Sequence, residues 1–288
     1  MNVVDDEGRR VPLPATVRRV VSLVPSLTEA VGVTEPGLLV GATDWCTHPD
    51  DLDEHGVTRV RGTKNPDIDA IVGLRPDLVL AGAEENKPGE LDKLREAGLA
   101  VYVTDIRTVD GALRSLERML AACGLARPAW IDGARAAWDA LPLPDSPRRA
   151  VVPIWRKPWM AIGSDTFTGS VLARLGVENV LASEGEASPG SPGSQGSPGS
   201  QGSPGSPVDA AERYPRFDPA DLPAHDLVIL PDEPYRFTAD DGPESFDAPV
   251  ALVSGRLLSW YGPSLLEAAR VLPGALARAG DPTTSVTR

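Results

Sequence analysis

Residues 65–86 read NPDIDAIVGLRPDLVLAGAEEN, and residues 217–237 read FDPADLPAHDLVILPDEPYRF. Both run from an Asp-rich turn through a short helical stretch into an Asp-Leu-Val-(Leu/Ile) strand and an acidic loop. A second strand follows each, GLAVYVTD (98–105) and DAPVALVSG (247–255), and then an amphipathic helix, LRSLERMLAACG (113–124) and LLEAARVL (265–272). Earlier in each half, SLVPSLTEAV (22–31) and AIGSDTFTGSVLARLG (161–176) both place Ser, Asp or Thr ahead of a helix. This repeated order predicts two α/β lobes of one plan, because short apolar runs alternating with helical patterns build parallel sheets from βαβ units.

The strands are expected at Val20–Val24, Leu38–Gly41, Leu78–Ala81 and Leu99–Val103 in the first half. In the second they are expected at Ala150–Ile154, Asp226–Leu230 and Val250–Val253. Between the halves, Pro128 suits a first helical turn, and the apolar spacing continues to Pro142. We therefore expect a lobe over 1–125, a single long connecting helix over 126–144 and a second lobe over 145–280. A Ser/Pro/Gly/Gln run, SPGSPGSQGSPGSQGSPGSP (188–207), has no apolar surface to offset its ordering entropy. It is expected as a disordered insert over 186–207, and 281–288 as a flexible tail.

The chain has 288 residues and a formal net charge of −13, which argues against nucleic acid and anionic membrane as partners. Its 2 cysteines, Cys46 and Cys123, form no framework. No apolar run reaches the ~18 residues of a membrane helix. The N-terminal MNVVDDEGRR lacks a basic-then-apolar leader, so the chain as it stands is expected in the cytoplasm. The alternative is an extracytoplasmic, membrane-associated protein with an incomplete N-terminus.

Ligands of open α/β sheets sit beyond the carboxyl ends of the strands. Two facing lobes would line a cleft with such loops, and 4 of the 6 tryptophans (Trp45, Trp155, Trp159, Trp260) fall in them. Converging indoles suit a large planar ligand; the bland alternative is that each packs under its own loop. SLTE (26–29) reads as a capping box in which Ser26 accepts from the Glu29 amide and the Glu29 side chain returns to the Ser26 amide. No GxGxxG or GxxxxGK[ST] motif follows a strand, and the histidines form no metal-binding pattern. The acid pairs Glu84/Glu85 and Asp232/Glu233 keep acid–base work open.

Together RVVSLVPSLTEAV, GTKNPDIDAIVGLRPDLVLAG, EEN, PIWRKPWMAIGSDTF, DLVILPDEP and GRLLSWYG resemble the cobalamin and iron-siderophore substrate-binding proteins of ABC importers, the helical-backbone metal receptors. The resemblance is strongest to the cobalamin-binding branch and spans Val11 to Ala277 apart from the insert. It implies an α/β fold of the class III periplasmic-binding-protein type, with two Rossmann-like lobes joined by one long helix. It also implies no catalysis and no cofactor of its own. The ligand it implies is a corrinoid, or a related chelate such as a ferric siderophore or haem. The partner it implies is an ABC permease, and the chain is expected to be a monomer. Carried across, the ligand-binding residues would be Ser26, Trp45, Glu85, Trp155, Trp159, Arg256 and Trp260. The alternative is a cytosolic chelate-binding protein, or an enzyme acting on the chelate.

Overall fold

Apolar runs bounded by Pro, Gly and Asp become buried strands here because both sheet faces are covered. A computed structural model describes residues 2–142, 144–182 and 210–279. It divides into a first unit, Met1–Leu141 with Ser259–Arg270, and a second, Pro142–Leu258 with Val271–Arg288.

In the first unit an antiparallel hairpin, β1 (Asn2–Val4) and β2 (Arg10–Pro12), precedes the sheet. Then come β3 (Val20–Ser22), α1 (Pro25–Thr34), β4 (Leu39–Ala42), β5 (Thr58–Arg59) and a small hairpin of β6 (Arg61–Gly62) and β7 (Asn65–Pro66). They are followed by α2 (Ile68–Leu74), β8 (Leu78–Gly82), α3 (Pro88–Glu96), β9 (Val101–Thr104), α4 (Val109–Ala122) and α5 (Ala129–Asp139). The five-stranded sheet has the order β5-β4-β3-β8-β9 with every pair parallel. Its order reverses at β3, so the carboxyl ends of β3 and β8 flank a topological switch point.

Val21, Leu23, Val79, Ala81, Val101 and Val103 form the sheet's contribution to one core, met by Ile71, Leu91 and Leu94 from the helices. Helix α4 buries Val109, Ala112, Leu113, Leu116 and Leu120, the spacing of one helical face. Thr108 caps it by accepting from the Gly111 amide at 3.0 Å. Helix α5 buries Ile131, Ala134 and Trp138, and the Trp138 indole donates to the Leu265 carbonyl at 2.9 Å. Leu265 lies in the Ser259–Arg270 segment, which the sequence-drawn boundaries placed with the C-terminal lobe.

In the second unit β10 (Arg148–Val151), the antiparallel pair β11 (Pro153–Trp155) and β12 (Met160–Ala161), α6 (Phe167–Arg174) and β13 (Val177–Asn179) come first. The one-turn α7 (Ala210–Arg213), β14 (Leu227–Pro231), β15 (Val250–Val253) and α8 (Gly255–Ser259) follow, and α9 (Ser264–Ala277) begins in the first unit's Ser259–Arg270 segment and ends in the second. The four-stranded sheet, β13-β10-β14-β15, is parallel throughout and reverses between β10 and β14. The expected strand Ala150–Ile154 is broken after Val151: Pro153 has no N–H for the ladder, and the chain turns off to pair with β12. The expected insert at 186–207 and tail at 281–288 lie outside the described residues. Among the described residues no helix is long and apolar enough to cross a membrane.

Candidate functional site

At the first unit's switch point the chain leaves β3 through Val24 and enters α1 at Pro25. The capping box does not form. Val24 is the N-cap and makes no side-chain cap bond, while Pro25, with its fixed φ and missing N–H, takes the first helical position. Ser26 and Glu29 therefore lie two residues too deep to cap, and both are buried. Their polar atoms turn instead to the segment near the C-terminus. Ser26 Oγ accepts from the Tyr261 amide at 3.2 Å, and Glu29 Oε2 from the Ser264 amide at 3.3 Å.

Glu85 follows β8, and its Oε1 accepts from the Tyr261 hydroxyl at 2.5 Å. Its carboxylate lies over Gly82, where any Cβ would collide with it. Asn86 fixes the loop, accepting from the Gly82 amide at 2.9 Å and donating to the Thr63 carbonyl at 2.8 Å. Burial pushes the Glu85 carboxyl above the ordinary carboxylate range; the Tyr261 hydrogen bond, that of its own backbone amide, then Lys64 and Arg107 pull it back in part. Burial, with the Glu85 charge beside it, pushes the Tyr261 phenol well above its usual value. Burial also lowers the Lys64 ammonium, whose Nζ donates to the Glu84 carbonyl.

The loop after β4 carries Trp45, Cys46 and His48. Arg59 secures it, its Nη1 donating to the carbonyls of Thr43 at 3.1 Å and Cys46 at 2.7 Å. Cys46 Sγ sits 3.0 Å from Thr28 Oγ1 and 3.1 Å from Thr43 Oγ1, and burial raises its pKa. Trp45 is 66% exposed, whereas Trp260 is 7% exposed and packs edge-on against His48. Ser26, Glu85 and Trp260 thus meet around the Tyr261 segment, and of the four residues expected here only Trp45 presents its ring to solvent.

In the second unit the two indoles of one hairpin part company. Trp155, at the end of β11, is 43% exposed and meets Tyr235 edge-to-face, with centroids 5.7 Å apart. Trp159 stacks on Phe237 and abuts Phe246 and Phe217, so it packs under its own loop in the core of Val228, Leu230 and Phe237. Arg156 lies over the Trp159 ring at 5.3 Å and pairs with Asp241 and Glu244; Tyr235 donates to Asp241 at 2.6 Å. Arg256 stands half-buried in α8, directly after β15, where the Gly255 amide donates to Asp232 at 2.7 Å. Tyr261, Glu29 and Tyr235 stood outside the ligand-binding residues carried across from the resemblance, and Glu29 was read as a helix cap; the run Trp260-Tyr261 was the available signal for the first. Among the described residues no three His, Cys, Asp or Glu side chains group so as to hold a metal ion.

No family model matches the chain. A vitamin B12-binding protein of Vibrio cholerae is 32% identical over 111 residues, 38% of this chain and 38% of that protein. One from Vibrio parahaemolyticus is 30% identical over 107 residues. The chain thus spans well under half the length of these curated relatives. Among solved structures, the periplasmic vitamin B12-binding protein BtuF of Vibrio cholerae superposes with a TM-score of 0.66 at 20% identity, covering 93% of this chain and 100% of that one. A periplasmic heme-binding protein from Pseudomonas aeruginosa gives 0.64 at 20% identity, covering 93% and 96%. The chain accordingly has the α/β fold of the class III periplasmic binding proteins, and part of its sequence is similar to that of vitamin B12-binding proteins, the family its motifs resemble.

Proposed function

We propose that this chain is a non-catalytic substrate-binding protein that holds a corrinoid, or a related metal chelate such as haem or a ferric siderophore, for uptake through an ABC-type permease. The observation that carries this reading is the pair of outward indoles. Each unit exposes one large ring near its switch point, Trp45 and Trp155, on a chain whose other tryptophans there are packed internally. Similarity to vitamin B12-binding proteins supports the same ligand class. In this reading Trp45, Trp155 and Arg256 contact the ligand. Ser26, Glu85, Trp159 and Trp260 act behind them, holding the surfaces in shape. The protein works as a monomer and has no cofactor of its own.

Titration of the full chain with cyanocobalamin, cobinamide, haemin and a ferric siderophore, by calorimetry and tryptophan fluorescence, tests the proposal. At least one chelate should bind and quench fluorescence. Trp45→Ala and Trp155→Ala should each weaken it about tenfold, equivalent to ~1.4 kcal/mol, as expected for loss of one ring contact. Binding of none of the four overturns the reading.

A further inference from the structure

β9 is an edge strand of the five-stranded sheet, and only part of its outer side is covered. The Val79 amide donates to the Ala100 carbonyl at 2.8 Å, which sets the ladder. Ala100 and Tyr102 turn their N–H and C=O toward β8, and Val101 and Val103 turn theirs away from it. The β1–β2 hairpin takes up Val103, whose carbonyl accepts from the Asp6 amide at 3.0 Å and whose amide donates to the Asp5 carboxylate at 3.4 Å. Val101 lies two residues earlier, beyond the last of these bonds. Among the described residues its outward N–H and C=O have no hydrogen-bond partner.

At that point β2, the end of α3 and the start of β9 enclose a groove of about 510 Å³, lined by Arg9, Arg10, Pro12, Arg95, Leu99 and Val101. Pro12 brings no N–H with which to satisfy the open edge. Arg9 and Arg95 share one carboxylate oxygen, Glu7 Oε2, at 3.4 and 3.5 Å, and Arg95 pairs with Asp92 at 3.0 Å. A guanidinium has five N–H donors, so these weak surface pairs leave most of them unused. The Arg10 side chain is exposed and pairs with nothing among the described residues. Three guanidinium groups against two carboxylates make this a locally positive spot on a chain of net charge −13.

We propose that this groove docks an extended acidic peptide segment of a partner protein, which pairs one residue with Val101 and sets its carboxylates on the arginines. A free anion can accept from the Val101 N–H and from the arginines, but it has no donor for the Val101 C=O. An extended peptide residue supplies donor and acceptor together, which is how a strand adds to a sheet edge. A second copy of this chain is opposed as occupant, because its edge would bring the same three arginines against these. The groove lies at the amino end of β9, whereas ligands of such sheets sit beyond the carboxyl ends of the strands. Docking here is therefore independent of the proposed function.

The probe is a fluorescently labelled hexapeptide, Glu-Val-Glu-Val-Glu-Val with blocked ends, titrated with the full chain and followed by anisotropy. It should bind, and the Lys-Val counterpart should not. N-methylation of every peptide amide keeps the charge and removes the donors, and should weaken binding about tenfold. Arg10→Glu alters an exposed side chain without a partner and should weaken binding about fivefold or more. Exchange of the Val101 amide, followed by NMR, should slow when the acidic peptide is added. Citrate at the same carboxylate concentration should not displace it. Absence of binding overturns the proposal, as does equal binding of the Lys-Val or the N-methylated peptide. So does an unchanged affinity in Arg10→Glu, an unaltered Val101 exchange rate, or displacement by citrate, which would mark a small-anion site.

Discussion

Replacing Glu29 with alanine should weaken the hold of the first unit on its Ser259–Arg270 segment by about 2.5 kcal/mol. Glu29 is buried, and its Oε2 accepts from the Ser264 amide, the first residue of the 14-residue helix α9. Hydrogen bonds to a charged group contribute about 1.5–3 kcal/mol. At 3.3 Å this one is long for its type, so the lower figure applies. An anion at a helix N-terminus adds about 0.3–1 kcal/mol, and up to ~2 when partly buried. About 1.5 plus about 1 gives the stated value. Glu29→Gln keeps the shape and an acceptor, so it should lose only about 1 kcal/mol.

Because the chain has two units, global unfolding need not be two-state, and local exchange of residues 259–270 is the better readout. Ser26→Ala removes the neighbouring bond to the same segment, so the double variant should depart from additivity by at least ~0.5 kcal/mol. Two results would refute the reasoning: an alanine effect below ~0.5 kcal/mol, or an additive cycle.

Two further outcomes are expected. Cys46 and Cys123 are buried, and burial raises the Cys46 thiol and pushes Cys123 up to about 12. A thiol reagent at neutral pH should therefore label neither in the native chain and both in denaturant; native labelling would contradict their packing. Gly163→Ala drives a Cβ into the Glu212 carbonyl and against Pro215, and the Gly163 amide is itself bonded to the Arg213 carbonyl at 2.7 Å. Backbone cannot swing aside as a side chain can, so the second unit should lose at least about 2 kcal/mol. An unchanged melting temperature would refute this.

The longer strands were legible because each is an unbroken apolar run, and β8, β9, β14 and β15 fall within a few residues of expectation. The edge strands β5 and β13 were not, since two or three residues carry no pattern, whereas the opposite edges β9 and β15 are largely apolar runs of 4 residues each. SLTE misled for a related reason. A local motif accounted for Ser26 and Glu29 on its own, and no periodicity announces partners 235 positions away. Trp155 and Trp159 were indistinguishable by type and by loop. They differ because the hairpin between β11 and β12 turns one indole into the Phe237–Phe246 cluster and leaves the other against Tyr235 at the surface.

That difference bears on the kind of ligand the chain suits. Charged groups near the switch points are engaged inside their own units: Glu29 by the Ser264 amide, Glu85 by Tyr261, and Arg156 by Asp241, Glu244 and the Trp159 ring. A small polar solute is held by hydrogen bonds and charges aimed at it, and groups already satisfied internally would have to break those bonds to supply them. A bulky chelate brings its own metal ligation and asks chiefly for area. Trp45 and Trp155 offer area with one N–H each, held by the Arg59-secured loop in one unit and by Tyr235 in the other. On the function proposed above, the internal pairing of these ionic side chains leaves Trp45 in one unit and Trp155 in the other to offer area to a large, flat ligand.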